Sequence, residues 1–181
     1  MALITIKPTA ADKFIANSIA AHTSPPVEKM AQLLTWGADE KLLLALAAAA
    51  WLYAAPRPSL RPYADHFLCL SLLSAILPHI MKDAVNQTRP DRLSVRGHWR
   101  GIPLSGRARD AFPSGHAVHM GALASAADLF PPTQRRVVQA LALALSATRI
   151  LLLAHWTSDV IAGFALGGLL ERVLRHFTLG K

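Results

Sequence analysis

The chain has 181 residues, enough for one domain, and 52% of them are hydrophobic while only 17% are charged, against about 25% charged in ordinary soluble domains. That balance excludes a disordered or highly solvated chain and points to an all-α integral membrane bundle. The formal net charge is +8, and seven of the nineteen Lys and Arg residues fall between Lys82 and Arg109. Flanked by apolar segments and lacking regularly placed aromatics, this cluster favours a phosphate pocket at a membrane surface over a nucleic-acid groove.

In chain order, the start "MALITIKPTAADKF" has no uninterrupted apolar core and no cleavage site of the secretory kind, so no signal peptide is expected. Residues 1–36 form an N-terminal amphipathic segment, in which Phe14, Ile15, Ile19, Met30, Leu33 and Leu34 are spaced for one helix face. Ser24-Pro25-Pro26 divides it into two short helices, which either lie in the membrane interface or pack as an arm over the bundle. Residues 37–176 make the bundle, with apolar runs at Leu42–Ala55, Phe67–Met81, Ala117–Phe130, Val137–Ala154 and Val160–Leu170. Most are shorter than the ~20 residues that cross a bilayer, but extended through polar flanks they predict about five transmembrane helices. The single cysteine, Cys69, lies in an apolar run and is expected to be a small buried hydrophobe. Gly163 and Gly167 form a G-x-x-x-G spacing suited to close helix contact. Arg57, Arg61, Arg135, Arg136, Arg172, Arg175 and Lys181 then share one side, expected to be cytoplasmic, although the opposite 82–113 loop is more basic still.

Three stretches on that opposite side carry polar groups that packing does not explain. In "KDAVNQTRP", Lys82 and Arg89 are seven apart, which on a helix sets both cations on one face, while Pro90 biases Arg89 towards a loop. Such a pair either binds phosphate or reaches for headgroups. In "FPSGHAVH", Ser114 is an N-cap, and Gly115 and His116 bring free backbone N–H groups to a helix start. His116 could protonate a leaving oxygen there, or be an interfacial histidine; His119, one turn on, reads as packing. In "ATRILLLAHWTSD", Arg149 interrupts an apolar run, and His155 and Asp159 are four apart, as a carboxylate that fixes an imidazole tautomer would be.

Taken together, these stretches resemble the type 2 phosphatidic acid phosphatase superfamily, which includes bacterial acid phosphatases and vanadium haloperoxidases. Its signature K-x6-R-P, P-S-G-H and S-R-x5-H-x3-D is matched by Lys82 to Pro90, Pro113 to His116, and Arg149, His155 and Asp159; Thr148 stands where the family has serine. The resemblance implies a metal-independent phosphatase without cofactor, acting on a phosphorylated lipid such as phosphatidate, phosphatidylglycerol phosphate, a polyprenyl diphosphate or a lipid A phosphate. His155 would attack phosphorus, Asp159 would hold its tautomer, and His116 would protonate the leaving alkoxide. Lys82, Arg89, Arg149, Ser114 and Gly115 would bind the phosphoryl oxygens. The expected setting is a bacterial inner membrane with the site facing the periplasm or exterior, and no obligate protein partner is implied. Asn86, Asp91, Arg92 and Arg96 lie near the site in sequence, and residues 96–110 read as a lid or headgroup-reading loop. A lipid phosphotransferase using the same pocket, and a non-catalytic membrane scaffold or transporter, are the competing functions.

Overall fold

A computed structural model describes residues 3–90 and 109–180. Seven α-helices are defined there: α1 Ala10–His22, α2 Pro25–Leu34, α3 Glu40–Ala54, α4 Arg61–Ala84, α5 Gly115–Ala126, α6 Pro132–Leu151 and α7 Thr157–Leu179. The expected elements are present, but the all-α expectation needs one correction. Ile4–Thr5 (β1) pairs in parallel with Val85–Asn86 (β2), in register Ile4 to Val85. Val85 is β-branched and follows directly on α4, so the chain leaves the helix extended and finds a partner strand.

Each helix starts where local chemistry satisfies its free N–H groups. Thr9 and Asp12 form a capping box on α1. Pro25 and Pro26 open α2. The Asp39 carboxylate caps α3, and the Ser114 hydroxyl caps α5. The helices outrun the apolar runs: α4 begins at Arg61, whose guanidinium stacks over Trp51 and pairs with Asp65.

At the centre is α5, with eight buried residues out of twelve. Helix α7 lies against it along small residues: a Cβ on Gly121 would fall on the Phe164 carbonyl, and one on Gly167 on the Val118 carbonyl. Only glycine allows backbones this close, which is the contact expected of the Gly163–Gly167 spacing. Helices α3, α4 and α6 surround this pair, and their outer faces expose Leu46, Leu52, Ile76, Ile80, Leu141 and Leu143. Cys69 is exposed among them rather than buried, because it falls on the outer face of α4. Among the described residues one helix, Arg61–Ala84, is long and apolar enough to cross a membrane.

Helices α1 and α2 form a packed arm that keeps an apolar outer face. Ala16 joins Ala111, Leu153 and Trp156, and Ala31 joins Leu152 and Ala154, while Phe14, Met30 and Leu33 stay exposed. The bundle ends differ in chemistry. At one end buried Glu171 receives Arg175 at 2.6 and 2.7 Å and the Ser125 hydroxyl at 2.5 Å, with His66 at 3.3 Å. The other end gathers the end of α4, the start of α5, the end of α6 and the start of α7, and there the three polar stretches meet.

Candidate active site

The site is built around His155, which lies between α6 and α7 and is 3% exposed. Helix α6 stops at Leu151, and Leu153 takes a left-handed conformation at φ 50°. The N–H groups of Ala154 and His155 both turn back to the Arg149 carbonyl, at 3.1 and 3.3 Å. This tight turn reverses the chain and aims His155 into the bundle; the left-handed residue costs roughly 1–2 kcal/mol.

His155 Nδ1 lies 2.6 Å from the Ala111 carbonyl oxygen. A carbonyl only accepts, so Nδ1 carries the proton and Nε2 keeps its lone pair. Asp159, expected to hold this tautomer, lies farther off: its Oδ2 is 3.9 Å from Nδ1 and accepts the Trp156 N–H at 2.9 Å. Its carboxylate therefore closes the first turn of α7, and a main-chain carbonyl orients the imidazole. Burial, then Arg89, Arg149 and Lys82, holds the His155 pKa well below its ordinary value, against the opposing Ala111 hydrogen bond. The ring is neutral at pH 7.

The same three cations act on His116, half-buried in the first turn of α5, so the two histidines share one electrostatic environment. Arg89 lies in a loop, as Pro90 implies, and so shares no helix face with Lys82 despite the seven-residue spacing. Helix α4 ends at Ala84, and the extended Val85–Asn86 carries the chain on to Arg89 in a loop. They are brought together by Asp110 instead, whose Oδ1 lies 3.0 Å from Arg89 Nε and whose Oδ2 lies 4.0 Å from Lys82 Nζ. Arg89 Nη1 donates to the Ala154 carbonyl at 3.0 Å, next to His155. Arg149 is buried in the last turn of α6; its Nη1 donates to Thr35 Oγ1 at 3.1 Å, and its Nε has no partner among the described residues. Ser114 caps α5 through its hydroxyl at 3.4 Å from the Ala117 N–H, and its own N–H reaches the Asp159 carbonyl at 3.3 Å. Gly115 follows at the helix start. His119 is buried on the same helix, consistent with packing.

Four contributors escaped the sequence pattern. The Ala111 carbonyl has no side-chain signature. Asp110 and Thr35 act through pairings across 21 and 114 residues. Asp12, 3% exposed, accepts the Ser158 N–H and hydroxyl, each at 2.9 Å, and so ties α1 to the start of α7. The Thr9-Ala10-Ala11-Asp12 capping pattern is a signal that could have flagged Asp12 as a cap, though not its second partner. Gln87 is also buried here and interacts with Asp159. Asn86 lies in β2, whereas Asp91, Arg92, Arg96 and most of the 96–110 loop lie outside the described residues.

Lys82, Arg89 and Arg149 all act on the buried His155 imidazole at one end of the helical bundle, an arrangement that would suit a tetrahedral oxyanion such as phosphate. The chain belongs to the PAP2 superfamily, whose family model matches residues 64–180. It is 40% identical over 98 residues to a lipid A 1-phosphatase of Rhizobium etli and 39% identical over 97 residues to one of Rhizobium johnstonii. Those matches cover 54% and 53% of this chain but only 42% and 40% of the relatives' lengths. Among solved structures, the fold is similar to the transmembrane PAP2-type phosphatidylglycerolphosphate phosphatase of Bacillus subtilis. That match has TM-score 0.75 and 20% identity, and covers 94% of this chain and 86% of the other. Aquifex aeolicus LpxE is similar too, with TM-score 0.71 and 18% identity over 94% of this chain and 98% of that one.

Proposed function

We propose that this chain is a membrane lipid phosphatase that hydrolyses a phosphate ester through a phosphohistidine at His155. The observation that supports the proposal is the buried His155 ring with Nδ1 2.6 Å from the Ala111 carbonyl, which puts the proton on Nδ1 and leaves Nε2 its lone pair, while Lys82, Arg89 and Arg149 disfavour a charged ring. Nε2 attacks phosphorus as the P–O bond to the lipid breaks; the bound phosphate dianion offsets the cations that act on His116, which then takes up a proton from water and gives it to the departing alkoxide. Water then attacks the phosphohistidine, frees phosphate and restores His155. The cations and the start of α5 neutralise charge on the equatorial oxygens, usually the largest catalytic contribution. Asp159 acts by holding the turn that carries His155.

A membrane setting is supported by the outward Leu and Ile side chains of α3, α4 and α6, an apolar surface of a kind soluble monomers rarely show. A cavity of about 370 Å³ between α3, α4 and α5, lined by Leu43, Leu46, Phe67, Leu70 and Leu123, has the character an alkyl chain needs. The far end carries Arg57, Arg61, Arg135, Arg136, Arg172 and Arg175, which favours that end in the cytoplasm and the site outside it. The rhizobial relatives favour a lipid A type phosphate within the broader substrate class.

The test is phosphate release by purified protein from phosphatidate, phosphatidylglycerol phosphate, a polyprenyl diphosphate and lipid A, with and without a chelator. At least one is turned over, vanadate inhibits and the chelator has no effect. His155→Ala inserts normally and releases no phosphate; full turnover by that variant removes the histidine mechanism.

A further inference from the structure

Asp110 is the one carboxylate in contact with the cations of the site among the described residues, and the chemistry proposed above gives it no task. It is not a flexible neighbour. Its backbone is held beside Gln87, with Gln87 N–H donating to the Arg109 carbonyl at 3.2 Å and Ala111 N–H to the Gln87 carbonyl at 3.1 Å. From this fixed position Oδ1 takes the Nε edge of Arg89 at 3.0 Å, and Oδ2 faces Lys82 at 4.0 Å. Arg89 Nη1 is already given to the Ala154 carbonyl. A phosphoryl group entering the site therefore does not meet Arg89 as an open two-pronged donor. It shares that guanidinium, and the Lys82 ammonium, with a resident carboxylate.

We propose that Asp110 is a specificity residue that sets the charge of the phosphate cradle. Lys82, Arg89 and Arg149 supply three positive charges, and Asp110 lowers the sum to two. A lipid phosphomonoester carries roughly two negative charges near neutral pH, which this cradle balances. A lipid diphosphate brings a further charge that Asp110 opposes, so the site favours the monoester. The same carboxylate competes with inorganic phosphate for Arg89 and Lys82, and so speeds departure of the product. Glu40, at the start of α3, also acts on Lys82, but its carboxylate pairs with His79 at 3.3 Å. The inference rests on the phosphatase reading, and its test separates the two.

Asp110→Asn keeps the size of the side chain and removes the charge. Three readouts are taken: binding of inorganic phosphate by thermal shift, phosphate inhibition of turnover, and kcat/KM for a lipid monophosphate and a lipid diphosphate with the same hydrocarbon chains. Asp110→Asn should bind phosphate roughly tenfold or more tightly, the scale of one nearby unit charge at a partly screened site. The diphosphate-to-monophosphate ratio of kcat/KM should rise by a similar factor, while Asp110→Glu keeps the wild-type ratio. Weaker phosphate binding, or an equal fall on both substrates, would show that Asp110 only orients Arg89 and would overturn the proposal. Should Asp110→Asn fail to fold, Asp110→Ser carries the same predicted sign. Wild-type protein that binds phosphate yet releases none from any lipid defeats the phosphatase reading, while the binding comparison still decides the role of Asp110.

Discussion

Replacing Asp12 by asparagine should damage a site to which that residue contributes no reacting atom. Its Oδ2 accepts three donors, the Thr9 N–H at 2.9 Å, the Thr9 hydroxyl at 2.8 Å and the Ser158 hydroxyl at 2.9 Å, while Oδ1 accepts the Ser158 N–H at 2.9 Å. An amide has one oxygen, so in either orientation its NH2 faces at least one of these donors. Burial pushes the Asp12 pKa up, but the bonds from Ser158 and Thr9 outweigh it and hold the carboxyl below its ordinary value. The anion's contribution is therefore complete at pH 7 and is lost only as pH falls through the acidic range. Hydrogen bonds to a charged group contribute about 1.5–3 kcal/mol each and do not add fully, so the loss should be about 3 kcal/mol. For a chain of this length that corresponds to a fall in Tm of about 6–12 °C. Ser158 is the residue before Asp159, so freeing it loosens the turn that carries His155, and phosphate release should fall about tenfold or more. Differential scanning fluorimetry in detergent and the phosphate-release assay read the two effects. A variant that melts within about 1 °C of wild type and turns over equally fast would refute the coupling between α1 and the site.

Gly167→Ala should destabilise by about 1–3 kcal/mol, because its Cβ meets the Val118 carbonyl and the Ala122 N–H. Gly168→Ala is the control: its Cβ meets only the Gly121 carbonyl, at 3.7 Å, so helix propensity should leave it neutral or slightly stabilising. Comparing their melting temperatures isolates the α5–α7 contact. The lowered pKa of His155 means that below about pH 6.5 the unfolded chain binds a proton that the folded site refuses. Stability should therefore fall with pH by up to about 1.4 kcal/mol per unit for this group, and His155→Gln should show the shallower slope in melts from pH 7 to pH 5. Thr35→Val removes the partner of Arg149 Nη1 and should raise KM several-fold with a smaller effect on kcat.

The helices were legible because their apolar runs mark the centres of the observed helices, and the Ser24-Pro25-Pro26 break falls at an observed helix start. Their limits were not, because α4 and α7 continue through polar turns held by side-chain pairs such as Arg61 with Asp65 and Arg175 with Glu171. At the site, residue types were legible and connections were not. The His155-x3-Asp159 spacing suggested a direct carboxylate–imidazole bond, yet the start of α7 claims that carboxylate for its own first turn. Pro90 rightly placed Arg89 in a loop, but the path from Lys82 to it, set by Val85 ending the helix and pairing with Ile4, was not legible. In both cases the deciding partner is backbone, which no side-chain pattern records. Asp12 shows the same difficulty across 146 residues.

The glycine contact between α5 and α7 has a consequence for recombining this protein with its relatives. With Gly121 and Gly167 each set against a carbonyl of the other helix, the register of the two must be inherited together. A chimera that takes α5 from one parent and α7 from another must keep both glycines, because a methyl group added at either would meet a carbonyl of the other helix. Helix α3, whose outer face is exposed at Leu52, is the natural crossover module: exchanging its residues beyond Glu40, which acts on Lys82, should transplant one wall of the apolar cavity and leave the machinery at the end of the bundle in place.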